Sequence, residues 1–201
     1  PDVDKVTGDG GGGGHRRALR RYPGLEMTAG RPSPVGAAAS TAAGGLLLRK
    51  LVPADAAELL PLIAAYGEAL THGEGNGDKP DLAYVAQLLA EPGVNIRGAF
   101  ADEAAGRKLV GFALYYDLPE AISRRRAGQI DDLYVVPETR GRGVARSLIA
   151  DIVAEGRQRG WIQLRWMVPH DNLVAQQLYD RIAETGPWKS YVIWLEPGIS
   201  W

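Results

Sequence analysis

The chain has 201 residues, of which 45% are hydrophobic and 23% are charged, and its formal net charge is −1 at pH 7. A chain of this length and composition predicts one globular domain with a sizeable core and a tail. The absence of cysteine excludes disulfides, thiolate zinc sites and cysteine nucleophiles, and three histidines argue against a histidine metal site. We therefore expect no metal, and catalysis by oxygen, nitrogen or backbone groups.

The charges are unevenly distributed along the chain. Residues 1–50 carry 8 Lys and Arg against 4 Asp and Glu, whereas residues 51–201 carry 15 against 20. The acidic larger part favours a cationic amine substrate and argues against nucleic acid as a partner. No apolar run approaches the roughly 20 residues of a membrane helix, and the first residues lack the apolar core of a signal peptide. These features predict a cytoplasmic protein with no membrane partner, and they are compatible with a homodimer.

Residues 1–45 form a low-complexity segment that is rich in Gly, Ala, Pro and Ser. Such a segment lacks the apolar surface needed to offset chain entropy, so we predict a disordered leader before a domain over 46–201. The alternative is an anion-binding arm, because a basic cluster from His15 to Arg21 lies within the segment.

The first elements of the domain are a strand and two helices. Residues 46–52 have the composition of a strand. Asp55 is placed to cap a helix with apolar residues at helical spacing, and Pro61 within it predicts a kink or a helix in two parts. A second short helix begins at Asp81 and ends at Ala90.

Extended segments then alternate with two further helices. Residues 95–101 and 108–116 have the pattern of an antiparallel hairpin joined by a polar turn. The later elements are strands over 129–136, 161–168 and 191–195 and helices over 144–160 and 174–184. The predicted order of the domain is therefore β-α-α-β-β-β-α-β-α-β.

The turn Arg140-Gly141-Arg142-Gly143-Val144-Ala145 lies between a predicted strand and a predicted helix. The first N–H groups of a helix have no partner within it, and the helix dipole adds about half a positive charge there. The glycines let the backbone approach phosphate oxygens, and the arginines add charge-assisted hydrogen bonds. The combination predicts a diphosphate site, and the alternative is a solvated turn. A Walker loop is excluded because no Lys-Ser/Thr pair follows the glycines.

The turn resembles the acetyl-CoA signature Arg/Gln-x-x-Gly-x-Gly/Ala of the GNAT superfamily of N-acetyltransferases, which Arg140, Gly143 and Ala145 match in register. The resemblance spans residues 46–196. It implies an α/β fold with a mixed, mostly antiparallel sheet that is splayed between its fourth and fifth strands and flanked by helices. It also implies acetyl-CoA as cosubstrate. The cofactor-binding residues implied are Val135 and Val136, which pair with pantetheine, then Arg140, Gly141, Arg142, Gly143, Val144 and Ala145, and finally Asn172 and Ala175.

Asn172, Ala175 and Tyr179 lie at offsets of three and seven residues, which places them on one face of a predicted helix. The segment resembles the superfamily's Asn-x-x-Ala-x-x-Leu-Tyr, in which the Asn contacts the cofactor and the Tyr protonates the departing thiolate. The alternatives are an N-cap for Asn172 and a packed aromatic for Tyr179. The superfamily's glycine four residues after the tyrosine is replaced by Ala183, which predicts a longer helix end.

Asp131 and Asp132 lie in the predicted strand before the turn, where regular alternation places them on opposite faces, so at most one faces the cleft. The runs Gly111–Tyr116 and Ile130–Val135 resemble the diamine and polyamine acetyltransferase branch of the superfamily. That resemblance implies that the acidic pair accepts the proton of the amine and binds it. The alternatives are a water relay, and aspartates that stabilise a strand edge or contact arginines 124–126.

Three further residues are candidates for amine binding. Tyr115 belongs to the first of these runs. Asp117 directly precedes, and Glu120 lies within, the segment 118–128, which lacks a regular pattern and is a candidate substrate mouth. The three arginines of that segment favour instead an anionic substituent on the substrate.

The function predicted from these features is acetyl transfer from acetyl-CoA to a primary amine by direct attack, with a small amine or polyamine favoured. Tyr179 is the predicted acid, and Asp131 or Asp132 assists deprotonation. The alternative is a non-catalytic domain that binds acyl-CoA as a sensor or scaffold. A third hypothesis is nucleic-acid binding by the leader.

Overall fold

A computed structural model describes residues 40–42, 45–71, 79–104 and 106–195. The predicted leader therefore lies outside the described residues, except for Gly45 and a strand at Ser40–Ala42. None of the helices in the described part of the chain is long and apolar enough to cross a membrane.

Within the described residues the centre of the fold is one sheet of six strands, in which each strand lies next to its neighbour in the sequence. The strands are β1 (Ser40–Ala42), β2 (Leu46–Lys50), β3 (Val94–Glu103), β4 (Gly106–Glu120), β5 (Arg125–Val135) and β6 (Trp161–Arg165). The first five pair antiparallel, and β5 pairs with β6 in parallel. The helices are α1 (Ala56–Leu70), α2 (Leu82–Ala90), α3 (Val144–Gln158) and α4 (Leu173–Ile182). The predicted mixed, mostly antiparallel α/β fold is thus confirmed.

The helices cover the two faces of the sheet and divide the core into two clusters. On one face α1 and α2 bury Leu59 and Val85 against Phe112 of β4. On the other face the apolar residues of α3 pack against β4 and β5; these are Val144, Leu148, Ile149 and Ile152. The spacing of these four residues is that of one face of a helix, which is why the sequence pattern located α3 correctly.

A buried ion network joins α3 to the sheet. The Arg97 side chain is only 8% exposed, and its guanidinium contacts the Asp151 carboxylate at 2.9 Å and also the Glu155 carboxylate. The Tyr115 hydroxyl donates to Glu155 Oε2 at 2.6 Å, and Arg159 contacts Glu155 Oε1 at 2.8 Å. Because a buried charge is costly without its partner, this network constrains the position of α3.

Several predicted boundaries differ from the structure at the ends of strands. The sheet already includes Ser40–Ala42, which the sequence placed in the leader. Residues 118–128, predicted to be irregular, mostly continue β4 and β5, and Arg126 Nε donates to Asp117 Oδ1 at 2.6 Å across the pair. The predicted closing strand over 191–195 is not formed, and Tyr191 is 87% exposed. A run of residues that favour extended structure forms a strand only where a neighbouring strand accepts its hydrogen bonds.

The helix ends also differ in part. Helix α1 is continuous across Pro61, so the expected division into two helices is wrong. Asp55 does not cap α1 through its side chain; its carboxylate pairs with Arg49 at 2.6 Å and accepts the Val52 N–H at 2.8 Å. Asp81 caps α2 as predicted, since its Oδ1 accepts the Tyr84 N–H. Helix α4 ends at Ile182, so the expected longer end is also wrong.

Candidate active site

The sheet opens between β5 and β6. Strand β6 pairs only with the first residues of β5, the last pair being Gln129 with Arg165, although β5 continues to Val135. Trp161 lies at the paired end, where its indole packs between Gly128 of β5 and Gly156 of α3. The indole therefore covers this end of the sheet on the α3 face, and a gap follows where the pairing ends. This is the predicted splay, which in the numbering used here lies between the fifth and sixth strands because β1 precedes the first predicted strand.

A cavity lies in this gap and brings together residues from five parts of the chain. It is lined by Tyr66 and Leu70 of α1, Ile130, Asp131 and Leu133 of β5, Ile149 of α3, the segment Trp166 to Pro169 after β6, and Asn172 and Tyr179 of the last helix and its cap. The predicted acid Tyr179 and the predicted amine-binding Asp131 thus line the same cavity, although 48 positions separate them in the numbering of the chain.

The backbone of Val135 faces the gap, whereas that of Val136 does not. The Val136 N–H donates to Val110 O at 3.0 Å, so it is used within the sheet. Because N–H and C=O groups alternate in direction along a strand, those of Val135 point away from β4. Arg140 Nε donates to Val135 O at 3.0 Å. Of the two predicted pantetheine-pairing residues, only Val135 turns its backbone towards the gap.

The turn before α3 is built as the sequence predicts. Gly141 and Gly143 have φ angles of 74° and 82°, and no atom lies within 4 Å of a Cβ added to either residue. No side chain caps α3, and Ser147 N–H donates to Gly143 O at 2.9 Å. The N–H groups of residues 144–146 therefore lack helical partners and can bind an anion. Val144 itself is buried, Ala145 is half-buried and Arg142 is exposed, so the backbone rather than the apolar side chains is the anion-binding part.

Asn172 and Tyr179 lie on the opposite side of the gap. Asn172 Oδ1 accepts the Ala175 N–H at 3.1 Å, so Asn172 caps α4 while also lining the cavity. The Tyr179 ring packs edge to face against Trp166, with 5.3 Å between the ring centroids. Burial raises the pKa of Tyr179, which keeps the phenol protonated at neutral pH. A protonated phenol in the cavity is a suitable general acid.

A β-bulge changes the expected placement of the two aspartates. Leu114 pairs with Asp132 and Tyr115 pairs with Ile130, so Asp131 is the extra residue of β5. The bulge interrupts the alternation from which opposite faces were expected. Burial, and then the charges of Asp131 and Asp132, raise the pKa of Tyr116, the neighbour of Tyr115 in β4.

Asp132 is the more buried member of the pair. Burial and then the charge of Asp131 raise the pKa of Asp132, and a hydrogen-bonding interaction with Tyr66 opposes the rise. A carboxylate with a raised pKa is a better proton acceptor than an ordinary surface aspartate. The pair therefore combines an exposed carboxylate in the cavity with a more buried carboxylate beside it, whose pKa is raised.

Tyr66 is a site residue that the sequence analysis missed. Its position in α1 fits the apolar helical pattern, which identifies it only as a core residue. The structure packs its ring against Phe112 and Tyr134, with centroid distances of 6.1 Å and 5.8 Å, and places it at the cavity. No sequence signal distinguishes this tyrosine from an ordinary core aromatic, because its neighbours come from distant strands.

The three predicted substrate-binding residues do not line the cavity. Tyr115 is 1% exposed and lies on the α3 face of the sheet, where it donates to Glu155. The Asp117 carboxylate is held by two arginines, at 2.6 Å and 3.1 Å. Glu120 lies 3.9 Å from Arg165. The three side chains thus take part in ion pairs and hydrogen bonds of the fold and lie outside the cavity lining.

The sequence pattern described as Acetyltransferase (GNAT) family matches residues 66–183. The chain belongs to the GNAT family of acetyltransferases. The matched range contains the gap, the turn before α3 and Tyr179. The resemblance inferred from the turn and from the Asn172–Tyr179 segment is therefore confirmed.

Several proteins that are similar to this chain are named as N-acetyltransferases. The thialysine N-epsilon-acetyltransferase of Bos taurus is 31% identical over 134 residues, which are 66% of this chain and 71% of that protein. The protein of the same name from Mus musculus is 27% identical over 130 residues, which are 62% and 71%. A solved ribosomal-protein-alanine N-acetyltransferase from Brucella melitensis biovar Abortus 2308 has a TM-score of 0.63 and 34% identity, and the match covers 75% of this chain and all of that one.

Proposed function

We propose that the chain transfers an acetyl group from acetyl-CoA to a primary amine by direct attack, without an acetyl-enzyme. One observation carries the proposal. The gap between β5 and β6 places an uncapped helix N-terminus outside the cavity and a protonated phenol with a carboxylate inside it. A free helix N-terminus can bind a diphosphate, a protonated phenol can give a proton to the sulfur of a thioester, and a carboxylate can bind an amine.

The residues around the gap fit acetyl-CoA. The N–H groups at the start of α3, freed by Gly141 and Gly143, would hold the pyrophosphate, and arginines 140 and 142 would add charge. The backbone of Val135 would pair with a pantetheine amide, and Asn172 and Ala175 lie on the other side of the gap. The cosubstrate supplies a thioester, whose carbonyl carbon is the electrophile.

The cavity residues supply the proton transfers. An amine is protonated at neutral pH, so a carboxylate of the acidic pair takes a proton, directly or through a water, before the nitrogen attacks. The carbon–nitrogen bond forms, the carbon–sulfur bond breaks, and Tyr179 gives its proton to the departing sulfur. The nitrogen is cationic after the attack and loses its second proton to water. The phenol is then reprotonated from solvent. This scheme requires no covalent intermediate on the chain.

The chemistry of the cavity favours a small, cationic amine. Asp131 is an exposed residue of the cavity lining, which also includes the aromatic residues Tyr66, Trp166 and Tyr179. A carboxylate attracts an ammonium group, and aromatic faces bind cations. Relatives named thialysine N-epsilon-acetyltransferase support an amine on a flexible aliphatic chain as the acceptor.

The turn provides a test of cosubstrate binding. Gly143→Val places a β-branched residue at a φ of 82°, which costs about 1–2 kcal/mol and displaces the N–H groups at the start of α3. We expect acetyl-CoA to bind about tenfold more weakly, as measured by calorimetry. Gly93→Val is the matched control, because Gly93 also has positive φ and open space around it but lies outside the cavity lining. Equal affinities of both variants would contradict the assignment of the turn.

Asp131 provides a test of amine binding. Asp131→Asn keeps the shape of the side chain but removes the charge in the cavity, so we expect the KM for the amine to rise about tenfold at low ionic strength. The KM for acetyl-CoA should change little. Asp171→Asn serves as the control, because this exposed aspartate is not in the cavity lining. An unchanged amine KM would exclude Asp131 as the amine contact.

The proposed function itself is tested by release of free CoA thiol. Acetyl-CoA is incubated with the protein and with each member of an amine panel comprising polyamines, lysine analogues, aminoglycosides and peptides with free N-termini. We expect thiol release with at least one amine and none without an amine. Tight acetyl-CoA binding without release in any mixture would favour the sensor or scaffold function instead.

A further inference from the structure

Trp166 lies where β5 and β6 separate. Arg165 forms the last pair of the two strands with Gln129, and Trp166 is the next residue along the chain. Its side chain lines the cavity together with Tyr179, which comes from α4. The indole therefore belongs to the site, at the point where the gap begins.

The Trp166 indole is in direct contact with the proposed acid. The rings of Trp166 and Tyr179 pack edge to face, with 5.3 Å between their centroids and an interplanar angle of 70°. Aromatic pairs favour this geometry because the positive edge of one ring meets the negative face of the other. Both rings also pack on the buried cluster that includes Leu148 and Ile149 of α3. The ring of Tyr179 is thus held by the indole and by the core.

The hydroxyl of Tyr179 is not held in the same way. None of the residues that the structure describes forms a hydrogen bond with it. The phenolic oxygen lies in the plane of its ring, so its position follows from the position of the ring. The contacts of the ring, and above all the contact with Trp166, therefore determine where the phenolic proton can be delivered.

We propose that Trp166 is a positioning residue, whose indole holds the ring of Tyr179 and thereby directs the phenolic hydroxyl towards the sulfur of the thioester. The inference rests on the proposed function. In the step concerned the carbon–sulfur bond breaks and its electron pair goes to sulfur. The O–H bond of Tyr179 breaks, and its proton forms the S–H bond. Trp166 itself forms and breaks no bond.

The indole also contributes to the burial that raises the pKa of Tyr179. The other titratable residues of the cavity lining are Tyr66 of α1 and Asp131 of β5, while α3 and the segment after β6 contribute none to it. Asp180 and Arg181, the neighbours of Tyr179 in α4, are exposed. A smaller side chain in place of the indole lets water reach the phenol, so its pKa should fall towards the ordinary value of about 10.

The first measurement is a double-mutant cycle on kcat, in which Trp166→Leu is made in the wild type and in Tyr179→Phe. Leucine keeps an apolar side chain but removes the aromatic ring. In the wild type we expect kcat to fall about tenfold or more, with the affinity for acetyl-CoA nearly unchanged. Without the Tyr179 hydroxyl there is no acid to direct, so the same substitution should change kcat of Tyr179→Phe by no more than about twofold. An equal loss in both backgrounds, or no loss in the wild type, overturns the inference.

Two further variants separate the ring contact from a general disturbance of the fold. Trp166→Phe keeps an aromatic ring beside Tyr179, so we expect it to recover most of the kcat that Trp166→Leu loses. Trp188→Ala removes an indole that is 88% exposed and outside the cavity lining, and it should leave kcat unchanged. If Trp166→Phe were as impaired as Trp166→Leu, the aromatic contact would not be what positions the acid.

A second measurement separates this inference from the proposed function. Carbon-13 NMR of protein with labelled tyrosine follows the phenol resonances with pH, and Tyr179→Phe identifies the resonance of Tyr179. We expect the midpoint of Tyr179 to move downwards in Trp166→Leu and to stay in place in Trp188→Ala. An unmoved midpoint in Trp166→Leu overturns the inference even if the enzyme is active, whereas a failure of every amine to release thiol overturns the proposed function whatever the NMR titration gives.

Discussion

Tyr179→Phe is expected to lower kcat by about 10²–10⁴-fold while leaving the affinity for acetyl-CoA nearly unchanged. The substitution removes one hydroxyl from a ring that stays packed against Trp166. Without the phenolic proton the sulfur leaves as a free thiolate, which raises the barrier for collapse of the tetrahedral intermediate. Steady-state kinetics give kcat, and calorimetry with acetyl-CoA gives the affinity.

The pH profile adds a second signature of the acid. Burial raises the pKa of Tyr179, and an acid must be protonated to act. The wild type should therefore lose activity only when the pH passes above the ordinary tyrosine value of about 10, and Tyr179→Phe should lack this descending limb. Tyr191→Phe is the control for the loss of an exposed hydroxyl. An undiminished kcat in Tyr179→Phe would remove the phenol from the mechanism.

Glu155→Ala is expected to lower the free energy of unfolding by about 3–5 kcal/mol. The substitution removes a carboxylate that accepts a hydrogen bond from the Tyr115 hydroxyl and forms ion pairs with Arg97 and Arg159. Arg97 then keeps Asp151 alone as its partner, and a buried guanidinium and a buried hydroxyl each lose an acceptor. Urea denaturation followed by circular dichroism measures the change.

Glu68→Ala is the matched control for this stability effect. Glu68 is also a helical glutamate, but it pairs with Lys79 at 3.5 Å on the surface, where both side chains are mostly exposed. A pair of this kind contributes at most about 1 kcal/mol. If Glu155→Ala were no more destabilising than Glu68→Ala, the buried network would not be what holds α3 to the sheet.

The turn and the segment around Asn172 were predictable because their signals are local. Positive φ at Gly141 and Gly143 and the free N–H groups of α3 follow from a short stretch of sequence at a strand-to-helix junction. The cap at Asn172 and the placement of Tyr179 two turns later follow from helical periodicity. Such features are determined by residues that are close in sequence, so they can be predicted from local sequence patterns.

The arrangement of the acidic pair and the position of Tyr66 were harder to predict from the sequence, because both depend on contacts between distant segments. The bulge at Asp131 is a property of the register between β4 and β5, which a period of two cannot reveal. Tyr66 reaches the cavity only because α1 packs on that pair of strands. The expected strand over 191–195 is the opposite case, because an apolar run does not form a strand without a neighbouring strand to pair with.

The central claim is direct transfer of acetyl from acetyl-CoA to an amine, and labelled acetyl transfer tests it most directly. The protein is mixed with acetyl-CoA that carries a radiolabelled acetyl group, with and without an amine that supports thiol release, and both protein and amine are then analysed for label. We expect label on the amine only, with thiol released in equal amount and none released without amine. Label retained covalently on the protein, or bound acetyl-CoA with no label on any amine of the panel, would contradict the account.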